Sequence, residues 1–396
     1  MSQTEQPTER RDRVARPRSR RAFLVVLLVA LVLLFVGPWW VLVVLPQWPV
    51  AVFVAGTVVF LGGALLFPVL MFLGHGPRAL DRVAAVADTT LGVVWILLTW
   101  SVLAIVPRYV LAAAGVPDPL RSRIVAAAVA GVALVLVCWG VVEAMRVPRV
   151  RTTEVVLPRL GAGLDGTRVV LLADTHFGPI DRARWSARTA AAVGALEPDI
   201  VCHAGDIADG TVAKRRAQAA PLGDIHARLA RVYVTGNHEY FGEAQAWLDH
   251  MAELGWTPLH NRHRIVERGG DRLVLAGIDD ATAVGSGLPG HGANLAAALA
   301  GADPNLPVLL LAHQPQQVRH AAAGGVDLQV SGHTHGGQIW PFHYLVRVDQ
   351  PSVHGLTRHG ERTQLYTTRG AGFWGPPLRV FAPSEISLLI LRSGGA

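Results

Sequence analysis

Arg168-Val-Val-Leu-Leu-Ala-Asp-Thr-His176 joins an apolar run to an aspartate and a histidine that stand two positions apart. The run 168–173 lacks the polar–apolar alternation of a strand with one solvated face, so it predicts a strand covered on both faces. Side chains two positions apart point to the same side of an extended chain, so Asp174 and His176 can face one centre. The segment therefore predicts an α/β domain with its chemistry at a strand end.

The same pattern continues along the chain. Six more runs predict strands: 199–204, 231–235, 272–278, 307–312, 327–331 and 385–391. Stretches between them predict helices: 182–196, 212–230, 243–254 and 292–301. Short β-branched runs that alternate with helical stretches are typical of an α/β domain, which we expect to cover residues 165–392.

Polar motifs follow five of the predicted strands. They are Asp174-Thr175-His176, Gly205-Asp206-Ile207-Ala208-Asp209, Gly236-Asn237-His238-Glu239, His313 and Gly332-His333-Thr334-His335-Gly336-Gly337. Each motif alone is weak evidence, because short Asp and His patterns arise often by chance. Because the loops at the carboxyl ends of the strands converge, the ordered set predicts one centre with carboxylate, amide and imidazole groups.

The residue types in these motifs indicate a metal centre. Mixed oxygen and nitrogen ligands suit Mn, Fe, Zn, Co or Ni better than Ca or Mg. A structural zinc site would use four ligands, usually with cysteine, whereas seven candidates without cysteine are present: Asp174, His176, Asp206, Asn237, His313, His333 and His335. Asp206 could bridge two cations about 3.5–4 Å apart, as in two-metal hydrolases.

The ordered set of motifs resembles the calcineurin-like metallophosphoesterase superfamily over roughly residues 165–392. The runs 331–338 and 369–379 are similar to a bacterial membrane-associated branch that includes phosphodiesterases related to UDP-2,3-diacylglucosamine hydrolases. The resemblance implies a four-layer sandwich in which two mixed sheets are flanked by helices. Thr175 and Glu239 stand where this superfamily commonly has Leu and Asp, but neither is a ligand position.

The resemblance also implies a role for each motif residue. Asp174, His176, Asp206 and His335 would hold one metal, and Asp206, Asn237, His313 and His333 the other. His238 would be a catalytic residue near the leaving group and not a ligand. No site for a further organic cofactor is expected. A metal-bound hydroxide would then hydrolyse a phosphoester or pyrophosphate bond by in-line attack, with manganese as the first choice and Fe, Zn, Co or Ni as alternatives.

Three residues near the motifs have roles that the sequence leaves open. Asp209 is expected to support the ligands or to cap a helix, and these roles are favoured over metal ligation. Arg379 either meets a substrate phosphate or is structural. His203 is expected in the core or behind the ligands.

The first 147 residues predict a membrane domain. Four apolar runs at 22–46, 49–74, 89–107 and 124–144 are long enough to cross a bilayer, which needs about 20 helical residues, and Glu143 lies at the end of the last. Ser19-Arg20-Arg21-Ala22-Phe23-Leu24 resembles a twin-arginine export signal, but no small-residue cleavage site follows. An uncleaved first helix is therefore favoured. We expect a membrane domain at 22–147 and a linker at 148–164.

The distribution of arginines predicts how the chain is oriented in the membrane. Seven arginines lie in residues 1–21, within a chain of net charge +7. We expect a multi-pass protein of the plasma membrane. The positive-inside rule predicts that its N-terminal tail and its catalytic domain are cytoplasmic. Arg108, Arg121 and Arg123 would then lie outside. Two cysteines, Cys138 and Cys202, form no disulfide framework.

Several functional alternatives stay open in the sequence. The favoured function is a phosphodiesterase, and a phosphomonoesterase, a nucleotide pyrophosphatase or an inactive membrane receptor or scaffold are the alternatives. Spans without internal charge argue against a transporter. The expected partners are a phosphoester, with a lipid-linked one favoured by the membrane anchor, and the bilayer. No nucleic acid is expected, since no basic-aromatic stripe is present, and the oligomeric state stays open.

Overall fold

The computed structural model describes residues 20–394, with side chains described from residue 24 onward. Nearly all of the expected basic tail at 1–21 therefore lies outside the described residues. The described chain begins with a bundle of apolar helices and continues into an α/β domain.

Five helices form the membrane part: α1 (Arg20–Trp39), α2 (Val50–His75), α3 (Asp81–Leu103), α4 (Ile105–Ala113) and α5 (Leu120–Met145). A π-helical turn, Trp40–Val44, continues α1 just after Pro38, which lacks the N–H that a regular helix needs. In the described residues, four segments are long and apolar enough to cross a membrane: Leu24–Val44, Val50–His75, Asp81–Ala113 and Leu120–Met145. The prediction of four apolar N-terminal helices is confirmed.

The third segment is longer than the predicted span at 89–107. Its 33 residues extend about 50 Å at 1.5 Å per residue, against a hydrocarbon layer of about 30 Å. Its first turns carry Asp81, Arg82 and Asp88, and Arg108 lies near its other end. The apolar run 89–107 thus predicts only the part of this segment that fits the hydrocarbon layer, and both ends of the segment continue beyond that layer.

Twelve strands form two sheets in the described part of the chain. They are β1 (Arg149–Leu157), β2 (Arg168–Leu172), β3 (Ile200–His203), β4 (Ala230–Tyr233), β5 (Thr257–Pro258), β6 (Arg262–Arg268), β7 (Asp271–Gly277), β8 (Val308–Leu311), β9 (Leu328–Ser331), β10 (Gly355–His359), β11 (Thr363–Thr367) and β12 (Glu385–Ser393). The helices of this part are α6 (Ala183–Gly194), α7 (Val212–Ala219), α8 (Asn237–Phe241), α9 (Ala244–Glu253), α10 (Leu295–Ala298), α11 (Val318–Ala323) and α12 (His343–Asp349).

Both sheets are mixed. The first has the order β1-β12-β2-β3-β4-β5, in which β2 to β5 are parallel and β12 is antiparallel to β2. The second has the order β10-β11-β9-β8-β7-β6, in which β7, β8, β9 and β11 are parallel and β6 and β10 are antiparallel edges.

The sheets pack face to face, and helices cover their outer faces. Leu171 of β2 and Leu309 of β8 belong to one buried core between the sheets. Val201 packs with Trp247 of α9 outside the first sheet, and Leu310 packs with Ala321 of α11 outside the second. The expected fold class, two mixed sheets flanked by helices, is confirmed.

Segment boundaries differ from the predictions at several points. Residues 148–164, expected to be a linker, contain β1, which pairs in parallel with β12 from Arg149↔Glu385 onward. The predicted helix 212–230 stops at Ala219 and continues only as a 3₁₀ turn, because Pro221 cannot occupy a helix interior. The predicted helix 292–301 shortens to α10.

The α/β domain rests on the near ends of the membrane helices. Arg215 of α7 forms hydrogen bonds of 2.8 and 2.6 Å with the Asp81 carboxylate of α3, and Arg149 pairs with Glu143 of α5. Ile96 and Leu136 from the membrane helices share a buried cluster with Leu378 of the domain. These contacts place the α/β domain against the ends of the apolar helices.

Candidate metal centre

Strands from both sheets carry the motif residues to a shared edge. Asp174 follows β2, Asp206 follows β3, and the histidine pair His333 and His335 follows β9. Asp174, His176, Asp206, His333 and His335 all have positive φ, between 41° and 71°. Residues other than glycine rarely adopt this backbone conformation, and those that do are often found at functional sites. The local strain indicates that the fold holds these loops in place.

The first group of candidate ligands consists of Asp174, His176 and His335. Their ligand atoms all lie within 4.8 Å of one another. Nε2 of His176 lies 3.1 Å from Nε2 of His335, which in turn lies 3.7 Å from Oδ1 of Asp174. All three residues are buried. Two buried ring nitrogens that face each other suit a shared cation.

The second group consists of Asp206, His313 and His333, again within 4.8 Å. The side-chain oxygen of Asn237 lies 3.2 Å from Nε2 of His313 and 2.9 Å from Nδ1 of His333. Nδ1 of His313 lies 2.7 Å from the backbone oxygen of Ala204 and donates to it. That contact leaves Nε2 of His313 free to face the centre.

Asp206 lies between the two groups. Its Oδ2 is 3.5 Å from Nε2 of His176 and 3.1 Å from Nε2 of His313, while Oδ1 accepts a hydrogen bond of 2.9 Å from the backbone N–H of His238. The structure therefore brings all seven predicted ligands together, as four imidazoles, two carboxylates and one amide. This donor set fits two transition-metal ions with Asp206 as the shared ligand.

His238 lies at the rim of the centre, where Asp209 orients it. Nδ1 of His238 is 2.7 Å from Oδ1 of Asp209, and its ring also approaches His176 and Asp206 closely enough to ligate with them. Burial lowers the pKa of His238, but the charges of Asp206 and Asp209 outweigh burial and raise this pKa to about 9. The imidazole therefore holds a proton readily.

Asp209 supports the histidines and caps no helix. Its Oδ1 also lies 2.9 Å from Nδ1 of His176, whereas the cap of α7 is the Thr211 side chain. Burial raises the pKa of Asp209, but the neighbouring His176 and His238 outweigh burial and lower this pKa below its ordinary value. An ionised carboxylate only accepts hydrogen bonds, so both histidines present Nδ1–H to it.

Glu239 has a role that the sequence motifs did not reveal. Its carboxylate accepts hydrogen bonds from the backbone N–H of Gly236 at 2.6 Å, Asp206 at 3.0 Å and Ile207 at 2.8 Å. Burial, together with the charge of Asp206, raises the pKa of Glu239 to about 7. Glu239 thus ties the second and third motif loops together. The sequence feature that could have indicated this role is the position of Glu239 within the Gly-Asn-His-Glu motif.

Arg379 and His203 are structural. Arg379 is buried and donates to the backbone oxygens of Gly372 at 2.8 Å, His335 at 3.1 Å and Ala382 at 2.9 Å, so it does not face a substrate. His203 is buried against Tyr233 and Trp256 in the core. Burial lowers the pKa of His203 to about 3.

A cavity of about 600 Å³ opens from the ligands toward the membrane helices. Phe241 and Trp374 line it beside His238, with ring centroids 5.2 and 5.7 Å from the His238 ring. Trp95 of α3 and Phe342 lie at the far end. Sequence reasoning missed these aromatic residues, because they come from distant segments that only the fold brings together.

Comparison with known proteins agrees with this geometry. The family model described as calcineurin-like phosphoesterase matches residues 167–337, a range that contains every candidate ligand and His238. A solved dimetal phosphatase of Danio rerio aligns with 54% of this chain and 90% of its own, at 16% identity and a TM-score of 0.38. That structural similarity is too low to support a conclusion by itself.

Two relatives are similar over most of the chain. A Danio rerio transmembrane protein with metallophosphoesterase domain is 38% identical over 264 residues, which cover 65% of this chain and 60% of the relative. A Campylobacter jejuni protein, named as an uncharacterized metallophosphoesterase, is 34% identical over 260 residues, covering 65% of this chain and 67% of the relative. The chain thus spans about three-fifths of the length of the first relative. With its ordered motifs and converging ligands, the chain belongs to the calcineurin-like metallophosphoesterase family.

Proposed function

We propose that this chain is a membrane-anchored, binuclear metal-dependent phosphoesterase that acts chiefly as a phosphodiesterase. The observation that carries the proposal is the position of the Asp206 carboxylate, 3.5 Å from His176 and 3.1 Å from His313. One carboxylate between two sets of imidazoles is an arrangement that can hold a pair of cations. The runs 331–338 and 369–379 favour the membrane-associated branch related to UDP-2,3-diacylglucosamine hydrolases.

Each cation would have its own ligands besides the shared Asp206. Asp174, His176 and His335 would complete one site, and Asn237, His313 and His333 the other. When bound, two divalent ions, manganese first among them, supply an activated water and offset the charge on the phosphoryl oxygens. Asp209 fixes the ring orientation of His176, and Glu239 fixes the loops that carry Asp206 and Asn237.

His238 would protonate the leaving group. Its Nδ1 is engaged by Asp209 at 2.7 Å, and the ring lines the cavity through which the substrate approaches. A pKa of about 9 keeps the imidazole protonated at neutral pH. A positioned proton donor of this kind assists departure of an alkoxide.

We also propose a lipid-linked substrate and a cytoplasmic orientation at the plasma membrane. A hydrolase of soluble metabolites gains little from four spans, whereas a lipid phosphoester is presented at the bilayer surface. The loop between α2 and α3 contacts the α/β domain, since Lys214 donates to the backbone oxygen of Ala79 at 2.9 Å. Four crossings put that loop and the domain on the side of the arginine-rich N-terminus.

A substrate panel tests the proposed function. The full-length protein in detergent would be assayed on bis-aryl phosphate, aryl phosphate, a dinucleotide pyrophosphate and phospholipids, with Mn added and removed. Preferred cleavage of the diester supports the proposal. Preference for the monoester or the pyrophosphate would favour those activities, and inertness toward every substrate would favour a receptor or scaffold.

A further inference from the structure

The cavity beside the metal centre has two chemically different ends. At one end lie the candidate ligands Asp206 and His335 with His238, and at the other lie Leu91 and Trp95 of α3. Its volume of about 600 Å³ lies within the range of about 300–1,000 Å³ that small-molecule sites occupy. One continuous space therefore joins the charged centre to a membrane-spanning helix.

The position of the bilayer along α3 and α4 places the far end of this cavity in hydrocarbon. Asp88 and Arg108 are 20 residues apart, with no charged side chain between them. Twenty helical residues rise about 30 Å, the thickness of the hydrocarbon layer. Leu91 and Trp95 come just after Asp88, so they lie at the edge of that layer nearest the α/β domain.

Helix α12 forms the opposite wall. Leu345 and Val346 line the cavity, and the Phe342 ring packs edge-on against Trp95 at 5.9 Å between centroids. Phe342 and Leu345, which both line the cavity, are 41% and 54% exposed. Large apolar side chains exposed on one short helix beside membrane spans are expected where a surface enters the lipid boundary.

We infer that this cavity binds the acyl chain of an amphiphilic phosphoester, which enters sideways from the leaflet next to the α/β domain, between α3 and α12. The inference rests on the proposed hydrolysis and adds the chemical class and the route of the substrate. The phosphoester lies at the ligands while its chain contacts Trp95, Phe342 and Leu345. Hydrolysis cleaves the P–O bond with water, so no other reactant is needed.

Chain-length dependence tests this inference in the full-length protein in lipid nanodiscs. The substrates are p-nitrophenyl ethyl phosphate and p-nitrophenyl octyl phosphate, both below their aggregation concentrations. Each buried methylene contributes about 0.8 kcal/mol, close to a fourfold effect. We therefore expect kcat/KM for the octyl ester to exceed that for the ethyl ester at least tenfold.

Two variants of α12 form a matched pair. Leu345→Glu places a charge on the cavity wall and should bring the octyl-to-ethyl ratio close to one. Val348→Glu places the same charge on the same helix at a position that does not line the cavity, and it should keep the wild-type ratio. A ratio near one in the wild type, or an equal fall of the ratio in both variants, would overturn the inference. Failure of the wild type to cleave either ester would instead overturn the proposed hydrolysis.

Discussion

Oδ1 of Asp209 lies 2.7 Å from Nδ1 of His238, and the same oxygen lies 2.9 Å from Nδ1 of His176. One carboxylate oxygen therefore sets the orientation and the protonated nitrogen of two imidazoles with different expected tasks. His176 is left with Nε2 for a cation, and His238 is left with Nε2 for the substrate. In the proposed mechanism, metal binding and proton donation are thereby coupled through Asp209.

Asp209→Asn should weaken both functions. The amide keeps the shape of the side chain but loses the charge that holds the two Nδ1–H groups. Loss of a carboxylate behind a metal-binding histidine typically costs about 10–100-fold in metal affinity or activity. Manganese titration followed by kcat measurement at saturating metal checks this. Affinity and kcat both within twofold of wild type would show that Asp209 has no such role.

His238→Ala should retain the metals and lose rate. Because the imidazole is assigned to the leaving group, kcat should fall by about 10²–10⁴ for an alkyl leaving group. The fall should be smaller for p-nitrophenolate, which departs without help. Metal analysis of the purified variant provides the control. Loss of a bound metal would show that His238 is a ligand. The test is needed because His238 lies close enough to His176 and Asp206 to bind a metal ion with them.

His203 should make the fold sensitive to acid. Burial lowers its pKa from 6.5 to about 3, so the unfolded chain binds this proton more readily than the folded chain. Stability is therefore full above pH 6.5 and falls as the pH drops toward 3, by about 2 kcal/mol between pH 6.5 and 5.

His203→Phe should remove this part of the acid sensitivity. Nδ1 of His203 has no hydrogen-bond partner among the described residues, and its ring packs on Tyr233 and Trp256. Nε2 contacts the Thr175 hydroxyl at 3.3 Å, but that hydroxyl keeps its hydrogen bond of 2.9 Å to the backbone oxygen of Ile207, so an apolar ring fits the site. Thermal unfolding of both proteins in detergent at pH 7.5 and 5 gives the comparison. An equal loss of Tm on acidification in the two proteins would contradict the prediction.

The side chains that the sequence predicts as ligands come together because each follows a buried strand. Seven predicted strands appear within one or two residues of their expected ends, and the ligands of two separate sheets meet as expected. Five strands were not predicted. One of them, β11, lies inside the second sheet, but its run Thr-Gln-Leu-Tyr-Thr is not continuously apolar. The other four, β1, β5, β6 and β10, are edge strands, and in β1 the outward residues Arg151 and Glu154 are exposed and charged. Edge strands lack the continuous apolar pattern by which central strands are found.

Features that depend on distant segments could not be read from the sequence. The bonds from Glu239 to Asp206 and Ile207, and the buried contacts of Arg379, arise only when loops from different strands meet. The apolar cavity likewise combines α3 with α12, which lie far apart in the chain. The length of α3 was underestimated because its first turns carry charges that pair with the α/β domain, as Asp81 does with Arg215.

Reporter fusions test the proposed orientation. A fluorescent protein that folds only in the cytoplasm and a phosphatase active only outside it would be fused separately after residue 150, and again after residue 116 between α4 and α5. We expect fluorescence alone at 150 and phosphatase activity alone at 116. The reverse pattern would place the catalytic domain outside the cytoplasm, which is the location that a twin-arginine export signal predicts.

The central claim is that Asp206 is shared by two catalytic metal ions. Metal content and diester hydrolysis, measured together on the same full-length preparations of wild type and Asp206→Asn, test it most directly. We expect about two transition-metal ions per wild-type chain. Chelation should abolish the activity, and manganese should restore it. The Asp206→Asn protein should lose metal and should be the least active of the single-ligand variants. Full activity in a rigorously metal-free wild-type preparation would contradict the account.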